Sequence, residues 1–169
     1  SDDHPKIALV GRKSIPMKDF LRALLDEHAC GNVEVKALLG YGRWYDYPLQ
    51  NGALSVLDLR RQEDGLCLKG LAFGRPDAII AVAEAHCVNA DEIIEDLLQA
   101  VEACEELYDH TPAITVVIHR GEGREVGDFV TQQAIKKAML KADLPRDWAD
   151  VVQLSRQGAL VRSLLGQVP

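Results

Sequence analysis

VGRKSIPMKDFLRALL, residues Val10 to Leu25, decides how the rest of this chain is read. Lys6 to Val10 (KIALV) is a short apolar run of the kind that makes a buried strand. It runs into Gly11 and a punctuated stretch. Beyond the break, Phe20, Leu21, Leu24 and Leu25 recur at helical spacing. The stretch therefore predicts a strand, a bend and a helix that returns over a sheet.

Outward from this unit the pattern repeats. VEVKALLG (Val33 to Gly40) and ALSVLDL (Ala53 to Leu59) predict a second and a third strand. The Asn51-Gly52 dipeptide between them is a hairpin turn signal, so an antiparallel pair spanning Val33 to Leu59 is expected at one edge. DAIIAVAE (Asp77 to Glu84) is apolar enough for a central parallel strand. A long helix follows, with Asn89 or Asp91 to cap it and Ile93, Ile94, Leu97, Leu98, Val101 and Leu107 as its inward face. Then come a strand at Ala113 to His119, a helix at Asp128 to Ala142, a strand at Asp150 to Leu154 and a closing helix at GALVRSLLG. Such alternation builds a three-layer α/β domain: a mostly parallel six-stranded sheet with one antiparallel edge hairpin and helices on both faces.

The 169 residues suit one compact domain, 1–169, and leave no room for a second. A net charge of -7 argues against a nonspecific grip on nucleic acid or an anionic membrane, since the summed field repels phosphates. No apolar stretch is long enough to span a bilayer, and the start SDDHPK lacks the order of a signal peptide. Cys30, Cys67, Cys87 and Cys104 are scattered without a CxxC pair, so reduced thiols in a cytoplasmic protein are expected, not a zinc site or a disulfide framework.

The opening stretch resembles, without gaps, the phosphate-binding segment VGRxNVGKSSLLNAL of Ras-like P-loop GTPases of the bacterial Era and EngA kind, and the order of elements over essentially the whole chain is similar to that G domain. Gly11, Phe20, Leu21, Ala23 and Leu24 keep the residues that the fold needs. The second glycine has become Pro16, the lysine Met17 and the serine or threonine Lys18. A P-loop wraps phosphates with backbone N–H groups, neutralises them with lysine and holds Mg²⁺ through a hydroxyl. Pro16 removes a donor, Met17 carries no charge and Lys18 repels a metal.

The remaining motifs that the resemblance implies are eroded as well. The family's DxxG, which meets Mg²⁺ and the γ-phosphate, reads LDLRR, with Asp58 retained and Arg61 in the glycine's place. The guanine-reading NKxD falls on His119, Arg120, Gly121 and Glu122, where Glu122 alone offers a carboxylate. Of the final SAx motif only Ser155 survives. The resemblance thus implies a GTPase-like domain that neither binds nor hydrolyses GTP, a pseudo-GTPase with no cofactor and with a protein partner. The alternatives are a divergent GTP-binding protein using GTP and Mg²⁺, or an unrelated α/β enzyme. The last is disfavoured by the lack of a GxSxG elbow or a coherent acid/base set.

Tyr41, Trp44, Tyr45 and Tyr47 crowd into GYGRWYDYPLQNG, where the resemblance places the first effector-binding switch. With Arg60 and Arg61 they form a candidate partner surface, since Trp, Tyr and Arg anchor interfaces. The other reading has these rings seal the edge of the sheet or alternate across the hairpin, with Trp44 and Asp46 on opposite faces from Tyr45 and Tyr47. RRQEDG (Arg60 to Gly65) reads as a solvated loop and HRGEGREVGD (His119 to Asp128) as a glycine-rich one. His86 and Cys87 sit after the fourth strand, at the edge where α/β folds place their sites, with no evident third partner.

Overall fold

The computed structural model describes residues 4–11, 34–38, 42–49, 52–61, 66, 68–84, 89–119 and 128–153. Among the described residues seven strands form one sheet: β1 (Lys6–Gly11), β2 (Glu34–Leu38), β3 (Gly42–Leu49), β4 (Gly52–Asp58), β5 (Ala78–Glu84), β6 (Ala113–His119) and β7 (Asp150–Gln153). Their spatial order is β2-β3-β4-β1-β5-β6-β7. Pairing is parallel from β4 through β1, β5 and β6 to β7, and antiparallel in the meander β2-β3-β4. A 3-10 helix (Leu68–Phe73) leads into β5, and two α-helices, α1 (Ala90–Tyr108) and α2 (Asp128–Lys141), connect the last three strands.

The mostly parallel sheet with an antiparallel edge is as expected, but it has seven strands where six were predicted. The additional strand is the aromatic tract itself. Its aromatic residues favour a pleated surface, and the tract pairs on both sides, Tyr45 with Val35 of β2 and with Val56 of β4. The expected direct pairing of Val33–Gly40 with Ala53–Leu59 is therefore corrected: β3 lies between them. The Asn51-Gly52 signal belongs to the β3-β4 hairpin, in which Leu49 pairs with Gly52. Gly52 has φ 131°, a backbone setting that a side chain would strain.

One face of the sheet carries Ala8, Val10, Leu57, Ile79, Ala81 and Val116, which pack with Ile93, Ile94, Leu97 and Val101 of α1 and with Ile135 and Met139 of α2. On the opposite face Ile7, Leu9, Val56, Ile80 and Val117 are buried too, which is why β1 and β5 read as unbroken apolar runs. Asn89 takes the N-cap position of α1, its carbonyl accepting from the Ile93 N–H, and Asp91 and Glu92 suit the helix's positive pole. The expected inward face of α1 holds except at Leu107, which is 52% exposed at the last turn; Ala100 and Cys104 are buried in the same face. The α1 and α2 boundaries fall within a residue or two of expectation, and the predicted helices after β1 and after β7 lie outside the described residues.

Candidate functional site

Parallel strands end together, so β1, β4, β5 and β6 bring their carboxyl ends to one edge, the edge at which open α/β sheets hold ligands. Gly11, Asp58 and His119 are placed there. Gly11 has φ 112°, and a Cβ on it would lie 2.8 Å from the Val82 carbonyl oxygen of β5. Glycine is therefore required at this position by the sheet itself, whatever the following loop binds. Past β4 the chain stays against β1, with Leu59 N–H donating to the Leu9 carbonyl at 2.9 Å and Arg61 N–H to the Gly11 carbonyl at 2.9 Å.

This extension sends two adjacent arginines to opposite sides. Arg60 folds back on Asp58: Nε donates to Oδ1 at 2.9 Å, the Arg60 backbone N–H to the same oxygen at 3.1 Å, and Nη2 to Oδ2 at 3.3 Å. Both residues are buried. A carboxylate with both oxygens engaged by a guanidinium is already neutralised, and a cation approaching it must first displace that guanidinium. Asp58 is where the resemblance places a magnesium ligand, and its surroundings do not fit a bound metal ion.

Arg61 turns to the face that α1 covers. Its Nη2 donates to Asp96 Oδ1 at 2.5 Å, and its Nε lies 3.0 Å from Glu92 Oε1. Hydrogen bonding to Asp96 holds the guanidinium's pKa above its ordinary value. Burial pushes the Asp96 carboxyl up, against the pull of Arg61. Arg61, where the resemblance expects a glycine, thus ties the end of β4 to the middle of α1. Asp96 was not foreseen in this role; its signal in the sequence is an acidic residue between Ile93 and Leu97, inside an apolar stripe.

The aromatic tract starts at this edge, where Arg43 pairs with Asp58, and runs away from it. Its residues alternate as one of the two readings has it. On the α1 side, Trp44 Nε1 donates to Asp46 Oδ1 at 2.7 Å, and the ring packs against Gly74. The Ser55 hydroxyl also donates to Asp46 Oδ1, at 2.6 Å, and His4 Nε2 lies 2.6 Å from that hydroxyl. This polar chain, unforeseen in the sequence, orients the indole. On the other side Tyr45 and Tyr47 stack with ring centroids 6.2 Å apart, and burial pushes the Tyr47 phenol well above its ordinary range. Trp44 and Tyr45 are half-buried, and Tyr47 and Arg60 are buried, so these side chains sit within the fold.

Pro16, Met17, Lys18, Tyr41, His86, Cys87, Glu122 and Ser155 lie outside the described residues, and only the backbone of His119 is placed, opposite Glu84. Among the described residues no three His, Cys, Asp or Glu side chains gather as a metal site would require, and no helix is long and apolar enough to cross a membrane.

No family model matches the sequence, and neither does any curated protein. Solved structures do resemble it. A GTP-binding protein from the hyperthermophilic archaeon Sulfolobus solfataricus, in complex with GDP, is 16% identical with a TM-score of 0.53, over 97% of this chain and 52% of that one. The SsGBP–GDP complex is 16% identical with a TM-score of 0.54, over 99% of this chain and 50% of that one. The cytosolic domain of L. pneumophila FeoB is 15% identical with a TM-score of 0.54, over 96% of this chain and 63% of that one. The chain spans about half to two thirds of the length of these proteins. At such identity the likeness is one of fold alone, the α/β fold that these GTP-binding proteins share.

Proposed function

We propose that this chain is a GTPase-fold module that works without binding or hydrolysing nucleotide and serves as a protein-interaction or scaffold domain. The observation that carries the reading is the buried Asp58–Arg60 pair, which neutralises the carboxylate at the position of a magnesium ligand. Arg61 supports it from the other side, since the position that needs a bare glycine N–H beside a γ-phosphate is given to an ion pair with α1. Pro16, Met17 and Lys18 withdraw the donor, the charge and the hydroxyl that phosphates and Mg²⁺ require. The partner-binding part of the proposal falls on the rim of the meander, where Val35 and Arg43 are exposed beside Tyr45.

The second reading, a divergent GTP-binding protein, is favoured by the likeness to two structures that were solved with GDP. Calorimetric titration with GTP and GDP, each with Mg²⁺, separates the two. The scaffold reading expects no heat and no rise in melting temperature, because a ligand that binds only the native state stabilises it. Binding at micromolar GTP or GDP establishes the second reading instead.

A further inference from the structure

Away from the sheet edge, α2 and the turn that follows it enclose a groove of about 360 Å³, lined by Gln133, Lys136, Met139, Leu140, Leu144 and Arg146. Its shape comes from the way the helix ends. Asp143 takes a left-handed conformation with φ 59°. Asp143 N–H donates to the Leu140 carbonyl and Leu144 N–H to the Met139 carbonyl, both at 3.0 Å. This is a Schellman turn, which brings Leu144 back against Met139 and sets Arg146 across from the helix face that bears Lys136. Met139 is buried at the base, while Leu140 is 58% exposed at the rim.

Two properties indicate what the groove takes. Its floor is aliphatic, and its polar rim is cationic, with no carboxylate among the described lining residues. Among the described residues Lys136 and Arg146 make no ion pair, although the chain carries a net charge of -7. The Schellman bonds also satisfy the Met139 and Leu140 carbonyls from within the turn. The volume lies at the small end of ligand sites, about 300–1,000 Å³, and is too small for a partner helix about 10 Å across.

We propose that this groove binds a small amphipathic anion, an aliphatic chain ending in a carboxylate or phosphate, with the chain on Met139, Leu140 and Leu144 and the head group between Lys136 and Arg146. The site is separate from the Asp58 edge and stands whether or not the protein binds nucleotide. Titration with octanoate, followed by amide chemical shifts, is expected to give saturable shifts at Leu140, Leu144 and Arg146. Octanol and inorganic phosphate are each expected to bind at least about tenfold more weakly, because each lacks one half of the match. The double variant Lys136→Glu, Arg146→Glu should lose octanoate binding and keep its melting temperature, since both side chains are exposed. Leu140→Ala should weaken octanoate and leave phosphate unchanged. Octanol binding as well as octanoate, phosphate matching octanoate, or octanoate binding that survives charge reversal would overturn the proposal. So would cosedimentation with phosphatidylserine vesicles without octanoate binding, which would make the groove a lipid contact.

Discussion

Asp58 and Arg60 form a buried ion pair at the carboxyl edge of the sheet. Two residues apart on an extended strand, they share a side of the sheet, and the guanidinium reaches back to cover both carboxylate oxygens. A buried pair of this kind adds little net stability, but removing one partner strands a charge. Arg60→Ala should therefore destabilise the fold by about 3–5 kcal/mol. The double variant Asp58→Leu, Arg60→Met should recover most of that loss. Urea unfolding midpoints check both, and a mild Arg60→Ala phenotype would mean that Asp58 tolerates being alone and is open to a cation. The sequence identified Asp58 and Arg61 as positions, because each aligns with a motif. It did not disclose that Arg60 pairs with Asp58 or Arg61 with Asp96: the i, i+2 spacing sets the first two on one side of a strand without requiring them to meet, and the second pair crosses from β4 to α1.

Among the elements, β3 carries the main lesson. The hairpin signal at Asn51-Gly52 was legible, and so was the alternation of Trp44 and Asp46 against Tyr45 and Tyr47. What was missed was that the alternating tract is a strand of its own, paired with β4 as far as Leu49 and Gly52. The resemblance puts a switch at the tract and the alternation puts its rings on the hairpin, but neither says that these eight residues form a strand between β2 and β4. The long periodic elements α1, α2, β5 and β6 were easier to read, since apolar period and length both report on them. Trp44→Ala should cost about 3 kcal/mol, the lower end of the Trp-to-Ala range, because its ring is half-buried against Gly74 and its N–H is satisfied by Asp46. Chemical denaturation measures this directly. If stability stays intact and a pull-down partner is lost, the ring serves an interface and its packing is secondary.

At the scale of the whole molecule, the β2-β3-β4 meander links neighbours in sequence, whereas β1 sits mid-sheet between strands that come much later in the chain. Lys6 pairs with Ser55, and Ile7 with Ala78. That arrangement has a consequence for biosynthesis. The central strand leaves the ribosome ahead of both its partners and has no sheet to join until β4 and β5 have been made, because pairing across a long loop must bear the closure entropy first. The meander meets no such delay. Nascent chains stalled before Asp77 should therefore remain open to protease along β1, and chains long enough to expose β5 and α1 should become resistant in a single step. Protection of β1 in the shorter chains would show that β4 alone suffices to hold it. Until the later strands arrive, the apolar run Ile7 to Val10 is a segment for chaperones to shield.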